Sequence, residues 1–334
     1  MLTLKVPLKE AEKTKKSLIV KDLLDHFFIA SKDKSHIFFP VKKRFSSGFE
    51  FVERSLKPKE ERKSLKEALG SKLSKQEMEV LNTSMDVTGQ IAILEIPDEL
   101  GSRIKIIARE ALKANPQLKT VLKKGKHEGV FRTQKLAWLA GEKTKEAVYK
   151  ENGVTLRFDV EKVYFSPRLS NDRKRVAGLV KKDEDVLVMF SGCGPYTCVI
   201  AKNSAAKRVV GVEINPEGHK YALENIKANK LRNAEAVLGD AKKTVLGLST
   251  KFDRILMPLP ASSQEFLQTA LAAAKKGATI HFYQFQDEDK TEESVKMLRE
   301  ACKEAGLKFK LLRIIKCGQN SPRSYRFCFD FRVD

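Results

Sequence analysis

Four short segments carry residue types and spacings that could do chemistry on a bound ligand. In Phe190-Ser191-Gly192-Cys193-Gly194-Pro195-Tyr196-Thr197, two glycines one residue apart let the chain turn sharply and bring its backbone close to a ligand. Thr197 stands where a dinucleotide fingerprint has its third glycine, so a pyrophosphate cradle is disfavoured. Glu213, followed by Ile214, lies 19 residues beyond Gly194, where a carboxylate can accept from both hydroxyls of a ribose. Asp240, followed by Ala241, is placed to accept from an adenine amino group. Either carboxylate alone could also cap a helix. The run Met257-Pro258-Leu259-Pro260 makes a stiff loop with few N–H groups, and alone it reads as a strand terminator.

These segments sit at regular points of a βαβ rhythm that begins near Val180. DVLVMF (185–190), RVVGVEIN (208–215), AEAVLGD (234–240), FDRILMPLP (252–260) and ATIHFYQF (278–285) read as five strands with helices between them. FKLLRII (309–315) and YRFCFDFRV (325–333) are further strand candidates, able to add an antiparallel edge to a doubly wound parallel sheet. In such a sheet the ligand lies at the carboxyl ends of the strands, where all four segments fall. Glycine turn and two acidic strand ends together fit an adenosyl cofactor without phosphates, and S-adenosylmethionine satisfies that description.

Upstream the texture differs. GQIAILEIP (89–97) reads as a strand, residues 98–116 as a helix with an acidic first turn and a proline stop, LKTVLKKG (118–125) as a strand, and 154–165 as another. This block is an α+β domain over residues 66–165. Residues 1–65 form a small α/β unit, with a helix expected around Leu18–Leu24, a strand at Ile37-Phe38-Phe39 closed by Pro40, and a charged linker over 56–67.

Composition narrows the partners. Across 334 residues, 64 Lys and Arg face 43 Asp and Glu, a net charge of +21 that attracts polyanions, nucleic acid foremost. The alternative is a highly solvated surface of the thermophile kind. No apolar run approaches the ~18 residues of a membrane span, and the N-terminus lacks the apolar core of a secretory signal. Five cysteines without a CxxC pair suit a reducing cytoplasm, and five histidines without ligand spacing predict no metal. Trp138 is expected in the core, and Arg173, Lys174 and Arg175 read as a cluster that touches phosphate or lies beside it.

The run 156–170, Leu-Arg-Phe-Asp-Val-Glu-Lys-Val-Tyr-Phe-Ser-Pro-Arg-Leu-Ser, resembles the signature of the archaeal and eukaryotic tRNA (guanine-37-N1)-methyltransferases. FSGCGPYT, VEINP, MPLPASSQEFL and IHFYQF are similar to that family's motifs in the same order, and LKVPLKEAEKTKKSLI, GQIAILEIP, LKTVLKK and LAGEKTKE resemble its archaeal members. The resemblance spans essentially the whole chain. It implies a class I, Rossmann-like, S-adenosylmethionine-dependent methyltransferase domain (166–334) behind the α+β domain and the N-terminal domain. It also implies a cytoplasmic monomer that reads the outer corner and anticodon loop of tRNA and methylates N1 of guanosine 37.

By motif, the resemblance puts Arg168 near guanine O6 and Tyr196 beside the methyl donor and the target base. Phe190, Ser191, Gly192, Gly194, Glu213, Ile214, Asp240, Ala241 and Pro258 would hold the cofactor, and Pro258 and Pro260 would border the base. Pro258 replaces the asparagine of the family's Asn-Leu-Pro, which removes a polar contact at the target. Losing the N1 proton spreads charge onto O6, which a fixed guanidinium stabilises more in the transition state than in the ground state. Arginine cannot itself take that proton, so a carboxylate or water must. Without the family match, Arg168 would read as a phosphate contact. Two rivals remain: an aminocarboxypropyl transferase of the wybutosine pathway, and a non-catalytic tRNA-binding protein.

Overall fold

The computed structural model describes residues 1–59, 64–128 and 133–334, with the backbone alone over 126–128. Its contacts divide it between Ser64 and Leu65 into two units. In the first, β1 (Leu2–Pro7) is flanked by β3 (His36–Pro40) and β4 (Glu50–Glu53), with β2 (Ser31–Lys32) outside β3, all antiparallel. Helix α1 (Ala11–Val20) ends where a helix was expected to begin, and it turns Leu18 onto Leu4, Val6 and Phe39. The strand at Ile37–Phe39 is present. Part of the expected linker, 60–63, lies outside the described residues.

The second unit starts with α2 (Leu65–Leu69) and α3 (Lys75–Val80), the latter opened by a reciprocal Ser74–Glu77 capping box. Strands β5 (Met85–Thr88), β6 (Ile91–Leu94), β7 (Thr120–Glu128) and β8 (Thr133–Gly141) form a sheet in that order. Only the β6–β7 pair is parallel, because α4 (Ile104–Ala114) makes the crossover between them. Ile107, Ala108 and Ala111 bury one stripe of that helix.

A hairpin follows, β9 (Glu146–Glu151) and β10 (Val154–Asp159). Its Leu156 and Phe158 share one apolar core with Ile91 and Leu122 upstream and with Val176, Val199 and Tyr221 downstream. The contacts therefore show no second division at residue 165.

The remaining strands are β11 (Asp185–Met189), β12 (Arg208–Glu213), β13 (Ala234–Leu238), β14 (Phe252–Met257), β15 (Ala274–Asp287), β16 (Phe309–Gln319) and β17 (Ser324–Val333). They form one sheet in the order β13-β12-β11-β14-β15-β17-β16. The first five are parallel. Helices α5 (Ser170–Leu179), α6 (Pro195–Asn203), α7 (Pro216–Ala228), α8 (Ala241–Gly247), α9 (Leu267–Ala273) and α10 (Thr291–Glu304) precede and link them. The last strand is not an edge: β17 inserts antiparallel between β15 and β16. The chain reaches β16 through α10, and a hairpin return from there can only fill the space beside β15. Both faces are covered, with Val186, Val188 and Leu256 in one core and Leu187, Val210 and Ile255 in the other.

Candidate active site

Strand order reverses at β11, whose neighbours β12 and β14 lie on opposite sides, and the chain leaves β11 directly into the glycine turn. Phe190, Gly192 and Gly194 all have positive φ, +60°, +56° and +83°. Phe190 holds this conformation against the preference of a bulky side chain, as residues at functional turns often do. The turn is closed by Ser191 N–H donating to Val212 O (2.9 Å) and Gly194 N–H donating to Ser191 O (2.9 Å). Thr197 Oγ1 lies 2.9 Å from Ser191 Oγ, and both pack on Gly211, where any Cβ would collide with them. The residue in the third-glycine position is thus a packing element of the turn.

Glu213 ends β12 beneath this turn. Its Oε2 accepts from Gly192 N–H (2.6 Å) and its Oε1 from Asn215 N–H (2.8 Å). Burial to 9% exposure pushes its pKa up, against the N–H groups of Asn215, Gly192 and Ile214, which pull it down. Each oxygen has a second lone pair left for a ribose hydroxyl. Ile214 beside it is 42% exposed, an apolar surface at the mouth. Phe190 packs edge-on against Phe266 at 4.7 Å. Asp240 fills the alternative reading of a strand-end carboxylate: its Oδ1 caps α8, accepting from Lys242 N–H (2.9 Å) and Lys243 N–H (3.3 Å), ahead of buried Ala241. That cap leaves Oδ2 for a ligand. Recessed carboxylate, open glycine turn and half-exposed apolar residues fit the ribose and base of an adenosyl group.

At the end of β14, Leu259 N–H donates to Met257 O (2.8 Å) and Ser263 Oγ donates to the carbonyls of Met257 (3.0 Å) and Leu259 (2.7 Å). The carbonyl of Pro260 accepts from Phe285 N–H (3.3 Å). Among the described residues the carbonyl of Pro258 accepts from none. The segment Tyr164–Arg168 runs alongside the glycine turn, with Tyr164 O 3.6 Å from where a Cβ on Gly192 would lie. Arg168 follows Pro167 in a short 3-10 turn, is 70% exposed in its side chain, and donates to Asp86 Oδ1 of β5 at 3.1 Å.

Tyr196 is 3% exposed and its hydroxyl donates to Asp172 Oδ2 (2.6 Å), as does that of Tyr283 (2.5 Å). Two expectations are corrected. Arg173 and Arg175 do not present themselves to phosphate. Arg173 is buried and doubly paired with Glu151 (2.5 and 2.7 Å), while Arg175 bridges Asp172 (2.8 Å) and Asp330 (2.6 Å). Helical spacing puts 172, 173, 176 and 177 on the buried face of α5, and only Lys174 of the cluster is exposed. Trp138 lies on the open face of β8, 45% exposed, its Nε1–H donating to Glu142 O (3.2 Å).

Behind the site a buried polar chain continues from Asp330 to His281 Nδ1 (2.6 Å), and from His281 Nε2 to Arg254 (2.8 Å), which is doubly paired with Glu184. Burial opposes ionisation of Asp172 and Asp330, but Arg175 beside Asp172, and His281 with Arg175 beside Asp330, outweigh it and hold both pKa values below the usual carboxylate range. His281, Cys328 and Asp330 come within 4.8 Å of one another, a cluster the sequence spacing does not reveal. Arg175 and Arg254 both donate into this cluster, and two guanidiniums repel a cation. Asp86 and Asp172 were also missed, since each acts on a residue distant in sequence.

A seven-stranded sheet of this order, with an adenosyl-fitting turn at its switch point, defines a class I S-adenosylmethionine-dependent methyltransferase domain. Family models extend along the chain: a tRNA methyltransferase 5 N-terminal domain over residues 3–50, a TYW2 N-terminal domain over 65–144, and a TRM5/TYW2 methyltransferase domain over 147–312. The tRNA (guanine(37)-N(1))-methyltransferase Trm5b of Pyrococcus abyssi is 38% identical over 99% of each chain. Its crystal structure superposes with a TM-score of 0.75, covering 100% of this chain and 99% of that one. A second solved structure, a complex of an aTrm5 with tRNALeu, is 30% identical over the full length of both chains, with a TM-score of 0.72. A tRNA(Phe) (4-demethylwyosine(37)-C(7)) aminocarboxypropyltransferase of Pyrococcus horikoshii is 31% identical, over 80% of this chain and 96% of its own. The chain belongs to the tRNA (guanine-37-N1)-methyltransferase family of the TRM5/TYW2 group.

Proposed function

We propose that this chain is a tRNA (guanine-37-N1)-methyltransferase, transferring the methyl group of S-adenosylmethionine to N1 of the guanosine 3′ to the anticodon. The carrying observation is length. The methyltransferase relative matches from end to end, whereas the aminocarboxypropyl transferase leaves one fifth of this chain uncovered, about the size of the Met1–Ser64 unit. When bound, the cofactor supplies an electrophilic methyl on a sulfonium. Glu213 receives the ribose hydroxyls, with Ser191, Gly192 and Gly194 setting the backbone around them and Phe190, Ile214, Asp240, Ala241 and Pro258 bordering the base and the methyl. Arg168 stabilises charge on O6 as N1 gives its proton to a carboxylate or water and takes the methyl, the thioether leaving, and Asp86 orients the guanidinium. The target base leaves its stack to reach the loop at Pro258 and Pro260.

In this reading residues 1–65 grip the outer corner of tRNA and the rest of the chain takes the anticodon loop, as a monomer. Five free cysteines, four of them buried, support a reducing, cytoplasmic setting. The deciding experiment incubates the protein with unmodified tRNA and S-adenosylmethionine labelled separately in its methyl and its aminocarboxypropyl carbons. Methyl label at N1 of guanosine 37 is expected. Aminocarboxypropyl label in the RNA would sink the assignment.

A further inference from the structure

A cavity of about 400 Å³ is lined by the Tyr164–Arg168 segment together with residues of β5, β8 and the β16–β17 hairpin. Among the described residues, three cations line it. Arg168 has Asp86 at 3.1 Å and Lys124 has Glu95 at 3.3 Å, while no carboxylate among the described residues pairs with Arg326. The Arg326 guanidinium lies 5.3 Å over the Phe285 ring, on the residue whose N–H holds Pro260, and its Nη2 donates to Tyr164 Oη at 3.4 Å. Its Nε–H is buried and makes no hydrogen bond among the described residues, and the same holds for Oε1 of Gln134 on the same cavity wall. Buried polar atoms without partners are rare and costly, and here a donor and an acceptor of that kind line one space. Phe158 and Val163 supply its apolar floor.

We propose that this cavity receives the nucleobase next to the target guanosine on the RNA strand, with Arg326 Nε–H and Gln134 Oε1 reading its edge. A phosphate only accepts hydrogen bonds and would leave Gln134 unsatisfied, whereas a base edge offers an acceptor and a donor side by side. The volume lies within the ~300–1,000 Å³ typical of small-ligand pockets. Arg168 borders both this cavity and the reaction, so a base seated here fixes the strand beside the one being methylated. The inference rests on the tRNA methyltransferase reading above.

The test is a cycle on the full chain. Methyl transfer is measured on intact tRNA and on tRNAs abasic at the nucleotide 5′ or 3′ to the target, for the unaltered protein, Arg326→Gln and Gln134→Leu. The unaltered protein should lose roughly tenfold in kcat/KM on one of the two abasic tRNAs, which identifies the neighbour that is read. Each variant should lose a similar factor on intact tRNA, nothing further on that abasic tRNA, and no cofactor affinity. Gln134→Leu removes an atom that has no hydrogen-bond partner among the described residues, and thermal melts check that both variants stay folded. Losses that multiply, or indifference of the unaltered protein to both abasic tRNAs, would overturn the cavity assignment alone. Absence of methyl transfer to intact tRNA would overturn the functional reading and the inference with it.

Discussion

A guanidinium that is 70% exposed and held by one carboxylate is available to a substrate in a way that buried arginines are not. Arg168→Ala should therefore lower kcat by roughly 10²–10³-fold, the usual cost of deleting a group that stabilises transition-state charge, with cofactor affinity unchanged. Single-turnover kinetics and calorimetry separate the two, and a collapse of cofactor binding would count against the O6 role. Asp86→Ala should leave thermal stability nearly untouched, since exposed ion pairs contribute little, while lowering kcat by loosening Arg168. Glu213 has the opposite character. Its carboxylate is recessed and its pKa raised by burial, so cofactor affinity should weaken as pH falls through that raised value and the acceptor is protonated. Glu213→Gln should raise the cofactor Kd roughly 10–100-fold and remove the pH dependence, as measured by calorimetry between pH 5 and 8.

Helix α5 and the hairpin before it share an apolar core and are joined across it by one buried ion pair. Breaking the buried Arg173–Glu151 pair strands a carboxylate, so Arg173→Met should destabilise the protein by about 3–5 kcal/mol in denaturant unfolding. Between β15 and β17, burial holds the pKa of His281 below its usual value, with Arg254 on one ring nitrogen and Asp330 on the other. The unfolded chain takes up that proton near pH 6.5 and the folded chain only lower, so stability should decline as pH falls from about 6.5. Asp330 adds its own loss only below about pH 4, because its pKa is depressed. His281→Gln should flatten the upper part of that profile in thermal melts.

The parallel strands, the glycine turn and the positions of Glu213 and Pro258 were legible because strand, turn and helix are written locally, in residues adjacent in the chain. Arg173 and Arg175 were misplaced for the opposite reason. Arg173 pairs with residue 151 and Arg175 with 172 and 330, and no local pattern tells an inward guanidinium from one meant for phosphate. Trp138 was misjudged by residue type alone, since β8 has one covered and one open face.

Across the whole molecule the charge is unevenly spread: residues 1–65 carry 16 basic and 9 acidic side chains, a third of the net +21. Removing Met1–Ser64 should abolish the preference for full tRNA over an anticodon stem-loop while leaving kcat on the stem-loop within a few-fold. The other unit keeps its own cores and every residue of the site. The same truncation should reduce the slope of log KM against log salt, because fewer phosphates are neutralised. Equal losses on both substrates would count against this division of labour.

The loop after β14 is made of two prolines and a leucine whose N–H is already spent on Met257, so it has nothing to donate. What it can show a base is oxygen, with the Pro258 carbonyl uncommitted among the described residues. A wall of this kind sorts purines by what they give. The pairing edge of guanine carries hydrogens on N1 and N2, whereas adenine brings a lone pair at N1 and would face oxygen with nitrogen. Inosine keeps the N1 hydrogen and would pass the same wall. In the proposed reading, with the target base against this loop, the wall would favour a base edge that donates.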